Sequence, residues 1–143
     1  MTRAQAWCMH GACLLVGGSG LIYGYMRYFA TPDDPFSVVN HPLQPTLQHL
    51  HILAAPLLVF ACGWIWEGHV WKRIRQGNPT RRRSGWTMVL TLAPMVVSGY
   101  AVQVSVDESW RTLWIWIHGV SSCLWLLFAL IHPWLPHAII KKK

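Results

Sequence analysis

The sequence predicts an all-α fold, an integral membrane protein whose four helices form an up-down bundle. Three observations carry this. Only 12% of the 143 residues are charged and 53% are hydrophobic, whereas soluble domains carry about a quarter charged residues. Residues 4–26, 35–66, 84–106 and 112–140 contain no Asp, Glu, Lys or Arg, and each stretch can hold a spanning helix of about 20 residues. Ten tryptophans exceed the needs of a small core and fit an aromatic belt at a membrane surface. Disorder, nucleic-acid binding and soluble enzyme chemistry are excluded by the same features. The length suits a single transmembrane domain over residues 1–143.

The formal charge of +7 is segregated. Arg3 precedes the first span; Lys72, Arg73, Arg75, Arg81, Arg82 and Arg83 lie between the second and third; Lys141, Lys142 and Lys143 follow the fourth. Ten of the twelve basic residues therefore occupy alternate connections, which places both termini and the basic loop on the cytoplasmic side. Arg27, Asp33, Asp34, Asp107, Glu108 and Arg111 fall on the other side. The Arg81-Arg82-Arg83 run reads as a topology signal near lipid headgroups.

The first span covers residues 4–28 and ends in the aromatic cluster Tyr23, Tyr25, Tyr28 and Phe29. Its uncharged stretch is too long for a signal-peptide core. A polar loop with Asp33-Asp34-Pro35 follows, too rich in breakers for helix. The second span covers 45–71, with a kink expected at Pro56. Gly77-Asn78-Pro79 marks the basic turn. The third span covers 85–106, with Pro94 inside it, and residues 107–109 make a tight turn. The fourth covers 110–133 and can continue to Ile140. Short connections make sequential helices antiparallel neighbours. No long repeat is visible. Cys8, Cys13, Cys62 and Cys123 form no CxxC pair and no CxxCH, so they read as free packing thiols.

Eight histidines are the chemical signal, because ionisable side chains inside a membrane are costly and mark functional interiors. His10, His49, His51, His69, His118 and His132 lie in or beside apolar windows; His41 and His137 lie in or near connections. His51 is six residues past Pro45 and His118 eight past Trp110, so both stand at a similar level near the outer surface. His118 and His132 are fourteen residues apart, which is about 21 Å along a helix and nearly four whole turns. One face of the fourth helix thus presents two imidazoles, one near each surface. Two stacked b-type haems held by histidines of facing helices need this arrangement. Small residues let a flat macrocycle approach, and Gly17, Gly20 and Gly24 lie on one stripe with His10 and Cys13, although small-residue stripes also serve plain packing. Similar stripes run from His51 through Ala55, Leu58 and Cys62, and from His118 through Ser122, Trp125 and Ala129.

The inner partner of His132 has two candidates. His69 shares a face with His51 but lies eighteen residues away, about 27 Å, overshooting by about 6 Å. His10 enters from the inner end of span one and lies nearer the required level. The spacing favours His10, leaving His69 an interfacial residue beside Glu67, Lys72 and Arg73.

Four spans, a histidine early in span one (His10), one near the outer end of span two (His51), and two spaced fourteen apart in span four (His118 and His132) resemble the cytochrome b subunits of membrane-bound formate dehydrogenases and nickel-iron hydrogenases. The resemblance covers the chain as architecture, and its motif content is four histidines. It implies two haems b, with His51 and His118 ligating the outer and His10 and His132 the inner. It also implies electron transfer between the quinone pool and a periplasmic carrier or catalytic subunit of a membrane redox complex, in the bacterial cytoplasmic membrane. Arg27 and Arg111 flank the outer site and Lys72 and Arg73 the inner one, where charge-assisted bonds to haem carboxylates compete with simple snorkelling. Two other classes stand beside this: a subunit binding (bacterio)chlorophyll, which needs one histidine per magnesium, and a structural subunit whose histidines only pack.

Overall fold

A computed structural model describes residues 1–32, 34–77 and 81–135. Asp33, the Asn78-Pro79 turn, His137, the extension to Ile140 and the terminal Lys141, Lys142 and Lys143 lie outside the described residues. The fold is all-α: four long helices, with no strand among the described residues. They are α1 (Arg3–Tyr28), α2 (Gln44–Arg75), α3 (Arg82–Val104) and α4 (Glu108–Ile131), all long and apolar enough to cross a membrane. No apolar window has more than 22% of its residues buried inside protein. Large side chains such as Leu14, Leu53, Leu90 and Trp116 face outward. An exterior of this kind suits hydrocarbon, and the chain is a multi-pass membrane protein.

The ends of the helices follow local chemistry. Thr2 caps α1 in a capping box: its hydroxyl accepts from Gln5 N–H, and the Gln5 side chain accepts from Thr2 N–H. Asn40 donates to the Arg27 carbonyl (2.8 Å), tying the 29–43 connection to the end of α1. Pro45 sits in the first turn of α2, where its missing N–H costs nothing. Asp107 caps α4 by accepting from Trp110 N–H. This cap starts α4 at Glu108, two residues earlier than the sequence suggested, with Glu108 favourably placed near the positive end of the helix. At its basic end α2 runs four residues past 71, through Lys72–Arg75, because Lys and Arg are good helix formers. Helix α2 passes through Pro56 without interruption. Two π-helical segments interrupt the α geometry: Cys13–Gly17 in α1 and Trp66–Trp71 in α2.

The chain divides into two compact units, Met1–Lys72 and Arg73–Lys143. Each contains an antiparallel helical hairpin. In the first, Gln5 meets Trp64, Val16 meets His51, and Arg27 meets Asn40. In the second, Arg81 meets Leu135, Ser84 meets His132, and Met95 meets His118. Small residues dominate the interiors: Ala12, Ser19, Ala54 and Ala61 in one hairpin, Ser84, Ser98 and Ser121 in the other. Lipid is as apolar as leucine, so helices associate there through close packing and interhelical hydrogen bonds of about 0.6–2 kcal/mol each.

Candidate functional site

Polar contact between the helices of each hairpin is concentrated at histidines. In the first hairpin His51, on α2, turns its ring toward α1. Its Nδ1–H donates to the Val16 carbonyl oxygen at 2.9 Å. The Ser19 hydroxyl donates to the same carbonyl at 3.1 Å and stands 3.4 Å from Nδ1. Gly20 lies directly beneath the ring: a β-carbon there would come within 2.7 Å of His51 Cε1 and 3.0 Å of Nδ1. Only a residue without a side chain lets the imidazole lie this close to the helix.

The second hairpin repeats the arrangement. His118, on α4, donates from Nδ1 to the Met95 carbonyl at 2.9 Å. The Ser98 hydroxyl donates to the Pro94 carbonyl, lies 3.2 Å from the Met95 carbonyl and stands 3.5 Å from Nδ1. A β-carbon on Gly99 would approach His118 Cε1 to 3.0 Å. In both hairpins the accepting carbonyl is followed three residues later by Ser and four later by Gly.

His132 carries a third version. Its Nδ1 lies 2.8 Å from the Ser84 hydroxyl, which also donates to the Arg81 carbonyl at 3.0 Å. Gly85 is next to the ring, with 3.9 Å from its would-be β-carbon to Cε1. Ser19-Gly20, Ser84-Gly85 and Ser98-Gly99 are the three Ser-Gly dipeptides in the sequence, and each faces a histidine. His118 and His132 both turn their Nδ1 edges to α3, as their fourteen-residue spacing implies.

This geometry sets the chemistry of the rings. A carbonyl oxygen has lone pairs and no proton, so Nδ1 of His51 and of His118 must carry the hydrogen. In a neutral imidazole the lone pair then resides on Nε2, the atom that ligates a metal. At His118 the Ser122 hydroxyl lies 3.5 Å from Nε2. Among the described residues no three His, Cys, Asp or Glu side chains converge on one metal ion.

The other expected residues stand as follows. His10 is exposed on α1, in the last turn before the π segment. His69 is half-buried inside the second π segment. His49 is exposed, and His41 Nδ1 accepts from Leu43 N–H in the connection. Arg27 and Arg111 are exposed near the ends of α1 and α4, and Lys72 and Arg73 near the end of α2. The buried stripe of α1 runs through Ala12, Val16 and Ser19, beside the Cys13, Gly17, Gly20 line. Nothing lies within 4 Å of a β-carbon built on Gly24. The four cysteines are free thiols. An open cleft of about 350 Å³ is lined by Trp66, Glu67 and Trp71.

Sequence reasoning missed Ser19, Ser84, Ser98, Gly99 and Arg81. Arg81 is more than a topology signal: it caps α3 in a left-handed conformation (φ 55°), and its Nε donates to the Leu135 carbonyl at 2.9 Å. A signal for the others existed. The dipeptides Ser19-Gly20 and Ser98-Gly99 are 79 residues apart, whereas His51 and His118 are 67 apart. The difference of 12 equals the difference between a 15-residue connection (29–43) and a 3-residue one (105–107). The two hairpins therefore share the register of this one histidine contact, with connections of different length.

Comparison with protein-family models, with curated proteins and with solved structures finds no match.

Proposed function

We propose that the protein is a b-type cytochrome that carries electrons across a membrane, its histidines serving as axial ligands of two haems b. The observation that supports this most is the matched anchoring of His51 and His118, each held through Nδ1 on a main-chain carbonyl. Such a hydrogen bond fixes the tautomer and ring orientation of a ligating histidine and raises its basicity. The glycine beneath each ring fits the same purpose, since it lets the imidazole lie flat against the neighbouring helix.

In this reading His51, His118 and His132 are each an axial ligand of a haem. Bound haem supplies one-electron chemistry between ferric and ferrous iron. The chain's own contribution is to orient the imidazoles and surround them with low-dielectric helix. His10 is the fourth ligand on grounds of level. His69, half-buried in the π segment Trp66–Trp71, is the alternative. A quinone site belongs to this reading, and the open depression beside Trp66, Glu67 and Trp71 is where it would be tested first. The electron partner is then a carrier or catalytic subunit of a membrane redox complex, with both termini cytoplasmic by the distribution of Lys and Arg.

The absorption spectrum of the purified, dithionite-reduced protein tests the proposal. A sharp haem b α band is expected. Far-red bands would indicate chlorophyll in its place, and a spectrum of protein alone would leave the histidines as packing residues.

A further inference from the structure

We propose that Ser84, held by the carbonyl of Arg81, is the positioning residue that fixes the Nδ1–H tautomer of His132 and so directs its Nε2 lone pair toward a metal. The metal part of this statement rests on the reading of His132 as a ligand; the tautomer part does not.

A serine hydroxyl has one proton. At Ser84 that proton goes to the Arg81 carbonyl (3.0 Å), which can only accept. The Ser84 oxygen is then an acceptor toward His132 Nδ1, 2.8 Å away, and the ring nitrogen must bring the hydrogen. The result is a directed relay from His132 Nδ1–H to Ser84 Oγ–H to the Arg81 carbonyl. Ser84 is 2% exposed, so water does not compete for either bond. Hydrogen bonds in such a chain polarise one another, which makes the hydroxyl a better acceptor than an isolated one.

Arg81 anchors the relay at both helices. Its left-handed backbone (φ 55°) is an uncommon conformation for a residue with a β-carbon. That conformation starts α3 and presents the carbonyl to Ser84, three residues on. Meanwhile its guanidinium Nε grips the Leu135 carbonyl, three residues beyond His132. One residue thereby ties the start of α3 to the segment that follows α4, on either side of the imidazole.

His132 differs here from His51 and His118. Their Nδ1 protons go to main-chain carbonyls of Val16 and Met95, which no substitution removes; Ser19 and Ser98 stand farther off, at 3.4 and 3.5 Å. At His132 the acceptor is a side chain. The serines are thus alike in sequence context and unlike in consequence, which provides an internal control.

The test uses the full-length protein in bilayers, as wild type and as Ser84→Ala, Ser84→Thr and Ser98→Ala. Two readouts are taken: nitrogen-15 NMR of labelled histidine, with the His132 signal assigned by its loss in His132→Gln, and redox titration of any haem bands. The Nδ1–H tautomer signature of His132 is expected in wild type and Ser84→Thr and lost or mixed in Ser84→Ala. Where haem is bound, one of two midpoint potentials should move positive in Ser84→Ala, because a weaker Nδ1 bond leaves Nε2 a poorer donor, and return in Ser84→Thr. Ser98→Ala, which touches the His118 site and not His132, should leave the His132 tautomer signal unchanged. An unchanged His132 tautomer in Ser84→Ala overturns the inference, as does an equal change of the His132 tautomer in Ser98→Ala. A wild type without haem overturns the ligand reading alone, since the tautomer measurement still decides the role of Ser84.

Discussion

His51 Cε1 lies 2.7 Å from where a β-carbon on residue 20 would stand, so Gly20 and His51 are a fitted pair across the first hairpin. The corresponding distance is 3.0 Å for Gly99 with His118 and 3.9 Å for Gly85 with His132. The three glycines have the same neighbour and graded room, and the grading is a measurable quantity.

Gly20→Ala should displace the His51 ring, at a cost of about 1–3 kcal/mol of overpacking, and under the proposed function should lower haem content. Gly99→Ala should do the same to His118, less severely. Gly85→Ala should be tolerated, since 3.9 Å is ordinary contact. Haem content per protein and unfolding in a detergent titration check the order; equal effects at positions 20 and 85 would contradict it.

If the proposed two-haem function holds, replacing His118 should remove one haem and keep the other, and replacing His132 should do the reverse. Both rings turn toward α3, fourteen residues apart on α4, which is about 21 Å along the axis. Pyridine haemochrome quantitation of both variants checks this. Full haem content in both would refute two separate sites.

His10→Ala and His69→Ala separate the two candidates for the fourth ligand. If His10 ligates, its removal should turn one haem high-spin while His69→Ala keeps two low-spin haems. If His69 ligates instead, the outcomes exchange. Low-temperature EPR of the oxidised protein distinguishes them.

Arg111, exposed in the first turn of α4, should shift one midpoint potential when changed to Gln if it pairs with a haem carboxylate. No shift in a redox titration would assign it to the headgroup region alone.

The four helices were legible in the sequence because a bilayer imposes one stringent rule. Charged side chains are costly in hydrocarbon, so uncharged windows and clustered Lys and Arg mark the spans directly. Helix ends were read to within about four residues, and the errors fall where a local bond decides. The Asp107 cap advances α4, and Lys72–Arg75 extend α2. His51, His118 and His132 could be singled out because an imidazole at membrane depth is conspicuous in an apolar stretch.

What holds those imidazoles could not be read from spacing within one helix, because the contact lies between helices. The same relationship spans 32 residues from Ser19 to His51 and 20 from Ser98 to His118. Connections of 15 and 3 residues hide the match until the hairpins are folded. The sequence by itself determined which residues cross the membrane and which are chemically able to ligate. The tertiary structure decided which carbonyl or hydroxyl accepts each Nδ1 proton, because that depends on interhelical register to within a single turn.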